Sequence, residues 1–229
     1  MLRRSARWRA AAIRTVPLSA VKAAALRNLA LAASGDAGGD GDAAGASPRI
    51  IIVDVRSKDE ILRSRAEAAA QAKKQQQQQS GTAVAAVGVA SGMVPTAVHV
   101  PFPALEAHLA LSMDMQEEEA ELEERRRRNG GHVEHSARAG TLDAALISAQ
   151  VPGSLAPPPP FMPDKHQLLF YCASGVRSAY AISVAAGFGF RGLSHFPDGY
   201  GAYAADPITA NDLAAFTREW NAAAPPVND

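Results

Sequence analysis

The chain has 229 residues, and its 23 Lys and Arg balance 23 Asp and Glu, leaving no formal net charge. That length holds one ordinary domain with appendages, and the neutral balance argues against a uniformly basic nucleic-acid binder. No run of about 18 strongly apolar, uncharged residues occurs, which excludes a membrane-spanning helix, and a single cysteine excludes an internal disulfide and a four-cysteine metal site.

The neutral total hides an asymmetry. Arg3, Arg4, Arg7, Arg9 and Arg14 stand in residues 1–14 with no acid among them, and the first acidic residue is Asp36. Leu2, Trp8 and Ile13 give this stretch an apolar side. An Arg-rich, acid-free amphipathic start reads as a mitochondrial presequence. The expected location is therefore mitochondrial, in the matrix, with the cytoplasm as the alternative. Without those five arginines, 18 basic side chains face 23 acidic ones, a net of −5.

Residues 15–19 read as a short extended piece entering a helix, with Val21, Leu26, Leu29 and Leu31 on its apolar side. The Gly/Asp/Ala-rich residues 36–47 are too small and polar to bury and read as a loop. Ile50, Ile51, Ile52 and Val53 form a β-branched run, the mark of a buried strand covered on both faces. Ser57 with Glu60 three residues on has capping-box spacing, so a helix starts there. It runs into a low-complexity stretch that includes Gln75–Gln79. Residues 92–101 read as a turn and a short strand stopped by Pro101, and Phe102–Leu111 as a helix. Glu117–Glu124 followed by Arg125–Arg128 reads as a charged helix held by i,i+4 pairs, and Pro157–Pro160 as polyproline.

Gln167–Cys172 is a second buried strand. A loop follows, then a helix over Ser178–Ala186 with small residues on every face. Residues 187–196 read as a turn plus strand, residues 198–203 as a turn into a last helical region, and Asn211–Ala222 as an amphipathic helix using Leu213, Phe216 and Trp220. Strands alternating with helices give the α/β class with a small, mainly parallel sheet flanked by helices. The expected organisation is one domain over 15–205, with insertions near 36–47, 64–91 and 112–165, then a C-terminal helix and tail over 206–229.

Cys172 falls where a strand ends and a loop leads into a helix, the position at which open α/β folds build sites. Gly175 lets the loop curl so that successive N–H groups converge. The helix start adds partial positive charge, and Arg177 a full one. These lower a thiol's pKa and stabilise an anion at the sulfur. Gly, Arg and two serines are poor choices for a core and good ones for an anion cradle.

With these residues in view, the chain resembles a single rhodanese-like domain of the sulfurtransferase family. Four blocks carry the resemblance in order: Ile51–Arg56 with Glu60, Gly92–Pro101, Tyr171–Ser178, and Gly187–Phe188 with Asp198–Gly199. Three positions depart from the family pattern. Met93 stands in place of His, Thr96 in place of Gly, and Asp198 in place of the first Gly of a pair. The resemblance implies a persulfide mechanism. Cys172 takes the outer sulfur of thiosulfate or a similar small-molecule donor and passes it to cyanide, a small thiol or a protein thiol. It also implies that the amides of Ala173, Ser174, Gly175, Val176 and Arg177 bind the terminal sulfur. Arg177 would bind the anionic donor, while Asp54, Arg56 and Ser178 support the loop or pocket rim. No cofactor and no metal are implied. Two rivals stand beside this reading. One is a rhodanese-like module kept for protein binding. The other is a cysteine phosphatase, disfavoured because four residues rather than five separate Cys172 from Arg177. His99, His108, His132, His135, His166 and His195 show no metal-ligand spacing.

Overall fold

The computed structural model describes residues 14–33, 49–78, 91–128, 158, 160–163 and 165–223. Among these the elements run β1 (Arg14–Thr15), α1 (Leu18–Ala33), β2 (Arg49–Asp54), α2 (Lys58–Gln78), β3 (Val98–His99), α3 (Phe102–Arg128), β4 (His166–Tyr171), α4 (Val176–Gly187), β5 (Leu193–Phe196), α5 (Gly199–Ala205) and α6 (Ala210–Ala223). The five strands pair in the order β1-β5-β4-β2-β3, every pair parallel. The α/β class read from the sequence is therefore what the chain adopts.

The β-branched run of β2 ends up central, paired with β4 on one side and β3 on the other. Period-two alternation sends its side chains to two cores. Ile51 and Val53 join Leu168, Phe170 and Leu193 on one face, under Leu105 and Leu109 of α3 and Ala181, Ile182 and Ala185 of α4. Ile52 joins Leu169, Tyr171 and Phe196 on the other, under Val21 and Ala25 of α1, Ile61 of α2 and Tyr203 of α5. The small residues of α4 let it lie close against the sheet and α3, as its composition implies.

Two readings change. The helix expected to stop at Leu111 continues unbroken to Arg128, since no Gly or Pro interrupts residues 104–128. The region expected to be an insertion from 112 to 165 contributes to the core at both ends. Ser112 Oγ accepts the Phe161 N–H at 3.0 Å, and Phe161, fully buried, packs edge-on against His108 at 4.7 Å between ring centroids. Arg14, placed with the presequence by composition, pairs with Ser194 in the sheet. Residues 1–13, the loop over 36–47, the polyproline run apart from Pro158 and Pro160, and the tail beyond 223 lie outside the described residues. No described helix is long and apolar enough to cross a membrane.

Register decides where chemistry gathers. Asp54 pairs with Tyr171, and Tyr171 with Phe196, so β2, β4 and β5 end level with one another. The loops leaving these three strands meet at one edge of the sheet.

Candidate active site

Three chain segments build the site. The first is the Cys172 loop itself. Gly175 adopts a left-handed backbone, φ +84°, and immediately precedes α4. Its N–H points back at the Cys172 sulfur, with N···Sγ 3.1 Å. Ser178 Oγ donates to the Gly175 carbonyl at 2.9 Å, tying the turn to the first turn of the helix. The same hydroxyl lies 4.0 Å from Cys172 Sγ and 3.5 Å from His195 Nδ1. Cys172 has no exposed surface. Burial alone pushes its thiol up. Backbone N–H groups of Ser178, Ser174, Arg177 and Gly175 outweigh that and hold it below the ordinary thiol value. Ala173, Ser174 and Val176 are exposed, Val176 at 62 %.

The second segment is the turn after β5. Tyr200 N–H donates to the Cys172 carbonyl at 2.8 Å. Pro197 and Gly199 press so closely on the loop that a Cβ on Gly175 would lie 2.7 Å from Pro197 Cα, closer still to its carbonyl oxygen. A Cβ on Gly199 would overlap the Ala173 carbonyl. Gly199 itself is at φ +68°. Both glycines are required by backbone conformation and by proximity. Asp198, which departs from the family's Gly, stands at φ −73°, where no glycine is needed.

The third segment is the β2 end and the start of α2. Asp54 and Arg56 form a buried ion pair, 0 % and 2 % exposed, with Nη2···Oδ2 2.7 Å. Arg56 also donates to the Gly92 carbonyl at 2.5 Å and to Ser64 at 3.1 Å, and its guanidinium lies 3.9 Å over the Tyr200 ring. These two residues were expected to support the loop or the pocket rim, and Arg56 packs on Tyr200 in the turn that clamps Cys172. With its charge satisfied by Asp54, Arg56 stays protonated despite desolvation.

Ser57 and Glu60 form the expected capping box: Ser57 N–H to Glu60 at 2.8 Å, Glu60 N–H to Ser57 at 3.3 Å. Glu60 does more than cap. Both its oxygens accept from Arg177, at 2.6 Å each, in a fork-to-fork pair. The Arg177 hydrogen bonds are the main reason that Glu60 is held at about 2, well below its ordinary 4.5. Arg177 was expected to add a full positive charge near the sulfur and to bind the anionic donor. Its guanidinium is within reach of Cys172, but Glu60 already occupies it. The positive field at the sulfur therefore comes from backbone N–H groups and the helix start together with an Arg177 whose charge is largely offset by Glu60.

The Gly92–Pro101 turn has one strained residue. Thr96, where the family pattern has Gly, keeps the left-handed conformation at φ +61°. Asn28 Nδ2, buried, donates to its hydroxyl at 3.3 Å. Among the described residues no three His, Cys, Asp or Glu side chains gather as metal ligands.

Sequence reasoning missed the Glu60–Arg177 pairing, the clamp by Pro197–Tyr200 and the approach of His195 to Ser178. The first was accessible in principle. A capping Glu in the helix after β2 and an Arg just after β4 come to the same sheet edge if the two strands are parallel neighbours.

Comparison with known proteins adds little. No family model and no curated protein matches the chain. Among solved structures, human single-domain sulfurtransferase TSTD1 aligns with it at TM-score 0.36 and 21 % identity, over 84 % of this chain and 96 % of that one. The chemistry is read from the site itself.

Proposed function

We propose that the chain is a rhodanese-like sulfurtransferase that carries sulfane sulfur on Cys172. The observation that carries this reading is the Gly175 N–H on Cys172 Sγ at 3.1 Å, at the start of α4, with further N–H groups lowering the thiol's pKa. A thiolate there attacks the outer sulfur of a donor such as thiosulfate. A bond forms between Sγ and that sulfur, the donor's S–S bond breaks, and the electron pair leaves with sulfite. Cys172 is left as a persulfide, whose terminal sulfur bears the negative charge. The backbone N–H groups stabilise the anion before and after transfer, in the manner of an oxyanion hole. An external thiophile, cyanide or a thiol, then removes the sulfur. The lone cysteine leaves no internal thiol to do so.

A phosphatase reading is disfavoured at the same place. The loop has four residues between Cys172 and Arg177, and the arginine that would hold a phosphate dianion is bound by Glu60. A mitochondrial location, read from residues 1–14, belongs to the same proposal. The test is sulfur transfer from donor to cyanide by wild type and Cys172→Ser. Transfer by wild type alone supports the reading, and equal background rates from both proteins overturn it.

A further inference from the structure

Glu60 occupies the Arg177 guanidinium, the cation nearest Cys172 that an anion could otherwise use. Its carboxylate lies on the two forward nitrogens of Arg177 at 2.6 Å each, the geometry that a sulfonate or carboxylate ligand adopts on a guanidinium. Glu60 is fixed there. The Ser57 N–H and hydroxyl hold Oε2 at 2.8 and 2.9 Å, and the side chains of Glu60 and Arg177 are 24 % and 33 % exposed. The neighbouring Lys58 and Asp59 cancel in charge. The Asp54–Arg56 and Glu60–Arg177 ion pairs are each neutral, and Asp198, next to the Gly199 that presses on the loop, adds a negative charge. What attracts an incoming anion is then chiefly the partial charge of the helix start and the amides.

We propose, resting on the sulfurtransferase reading above, that Glu60 sets the donor's charge. The site is matched to a sulfane-sulfur donor carrying one negative charge and discriminates against a doubly charged donor such as thiosulfate. A dianion could gain Arg177 only by displacing Glu60, and it would then sit beside that carboxylate. A monoanion needs only the amide cradle.

Two donors of the same chemistry separate the cases. Thiosulfate, a dianion, gives up its outer sulfur and leaves as sulfite. Methanethiosulfonate, a monoanion, gives up the equivalent sulfur and leaves as methanesulfinate. In both, Sγ gains the sulfur and the leaving group takes the electron pair. Glu60→Gln keeps the cap acceptor, since Gln serves at this position, and removes the negative charge. The wild type should show the higher kcat/KM with methanethiosulfonate. Glu60→Gln should raise kcat/KM about tenfold for thiosulfate and about threefold for methanethiosulfonate, as expected for removing one charge near a dianion and a monoanion at a half-exposed site. The gain should appear chiefly in KM. It should vanish in Glu60→Gln/Arg177→Gln, because the released guanidinium is its source. An unchanged donor ratio in Glu60→Gln, or a gain that survives loss of Arg177, overturns the proposal while leaving the sulfurtransferase reading in place. Absence of sulfur on Cys172 with either donor, in wild type and variant alike, overturns both.

Discussion

Gly175→Ala is the perturbation whose consequences follow most directly from the geometry. The backbone there is left-handed, at φ +84°, which costs an L-residue about 1–2 kcal/mol. The added methyl would also lie 2.7 Å from Pro197 Cα and closer to its carbonyl oxygen. These are backbone atoms, so no rotamer change relieves the overlap, and a shift of the loop adds about 1–3 kcal/mol. The total is a loss of about 2–5 kcal/mol of stability. The shift also pulls the Gly175 N–H off the sulfur. Losing a hydrogen bond to the charged acceptor weakens stabilisation of the thiolate, so the thiol pKa should rise. Two assays read this: urea denaturation for stability, and the rate of iodoacetamide alkylation against pH for ionisation. Because Cys172 is fully buried, the absolute rate reports access as well. The midpoint reports ionisation alone. In wild type it should lie below that of a free thiol. An alkylation midpoint unmoved in Gly175→Ala would refute the claim that this amide holds the thiolate.

Other substitutions follow from the same contacts. Arg56→Ala leaves the Asp54 carboxylate buried without its partner and should cost about 3–5 kcal/mol in urea denaturation; a loss below 1 would mean that water reaches Asp54. Thr96→Gly relieves a left-handed β-branched residue at φ +61° and gives up one 3.3 Å hydrogen bond from Asn28. It should gain about 1 kcal/mol of stability, seen as a higher Tm. Acid should weaken the Glu60–Arg177 tie in a defined window. Glu60 is held at about 2 in the fold against an ordinary 4.5. Its contribution is therefore present above 4.5 and lost as pH falls toward 2. The stability gap between wild type and Glu60→Gln should be flat from neutrality down to pH 5 and close below it. A gap that instead opened on acidification would reverse the assigned sign.

Much of the sheet was legible from side-chain chemistry. The β-branched run Ile50–Val53 and the apolar Leu168–Tyr171 announced two central strands. Cys172, Gly175 and the helix behind them announced a turn that could converge on one sulfur, and φ at Gly175 agrees. The charged half of α3 misled because composition changes at Ser112 while helix propensity does not. Phe161 was hidden in a proline-rich setting that gave no period to read, yet its ring completes the core against α3. The pair that most alters the site's electrostatics joins residues 117 apart in sequence. Local patterns named both residues, and only the parallel pairing of β2 and β4 brings them together. The three segments around Cys172 divide their work accordingly. The loop amides face the sulfur, the β5 turn packs against the loop, and the helix start after β2 engages Arg177.

The central claim is that Cys172 holds a transferable sulfur. Intact-protein and peptide mass spectrometry after brief exposure to methanethiosulfonate tests it most directly. The account predicts a mass gain of one sulfur atom, located on Cys172, absent in Cys172→Ser and removed by cyanide. A Cys172 that keeps its original mass, or that gains a sulfur cyanide cannot take away, would contradict it.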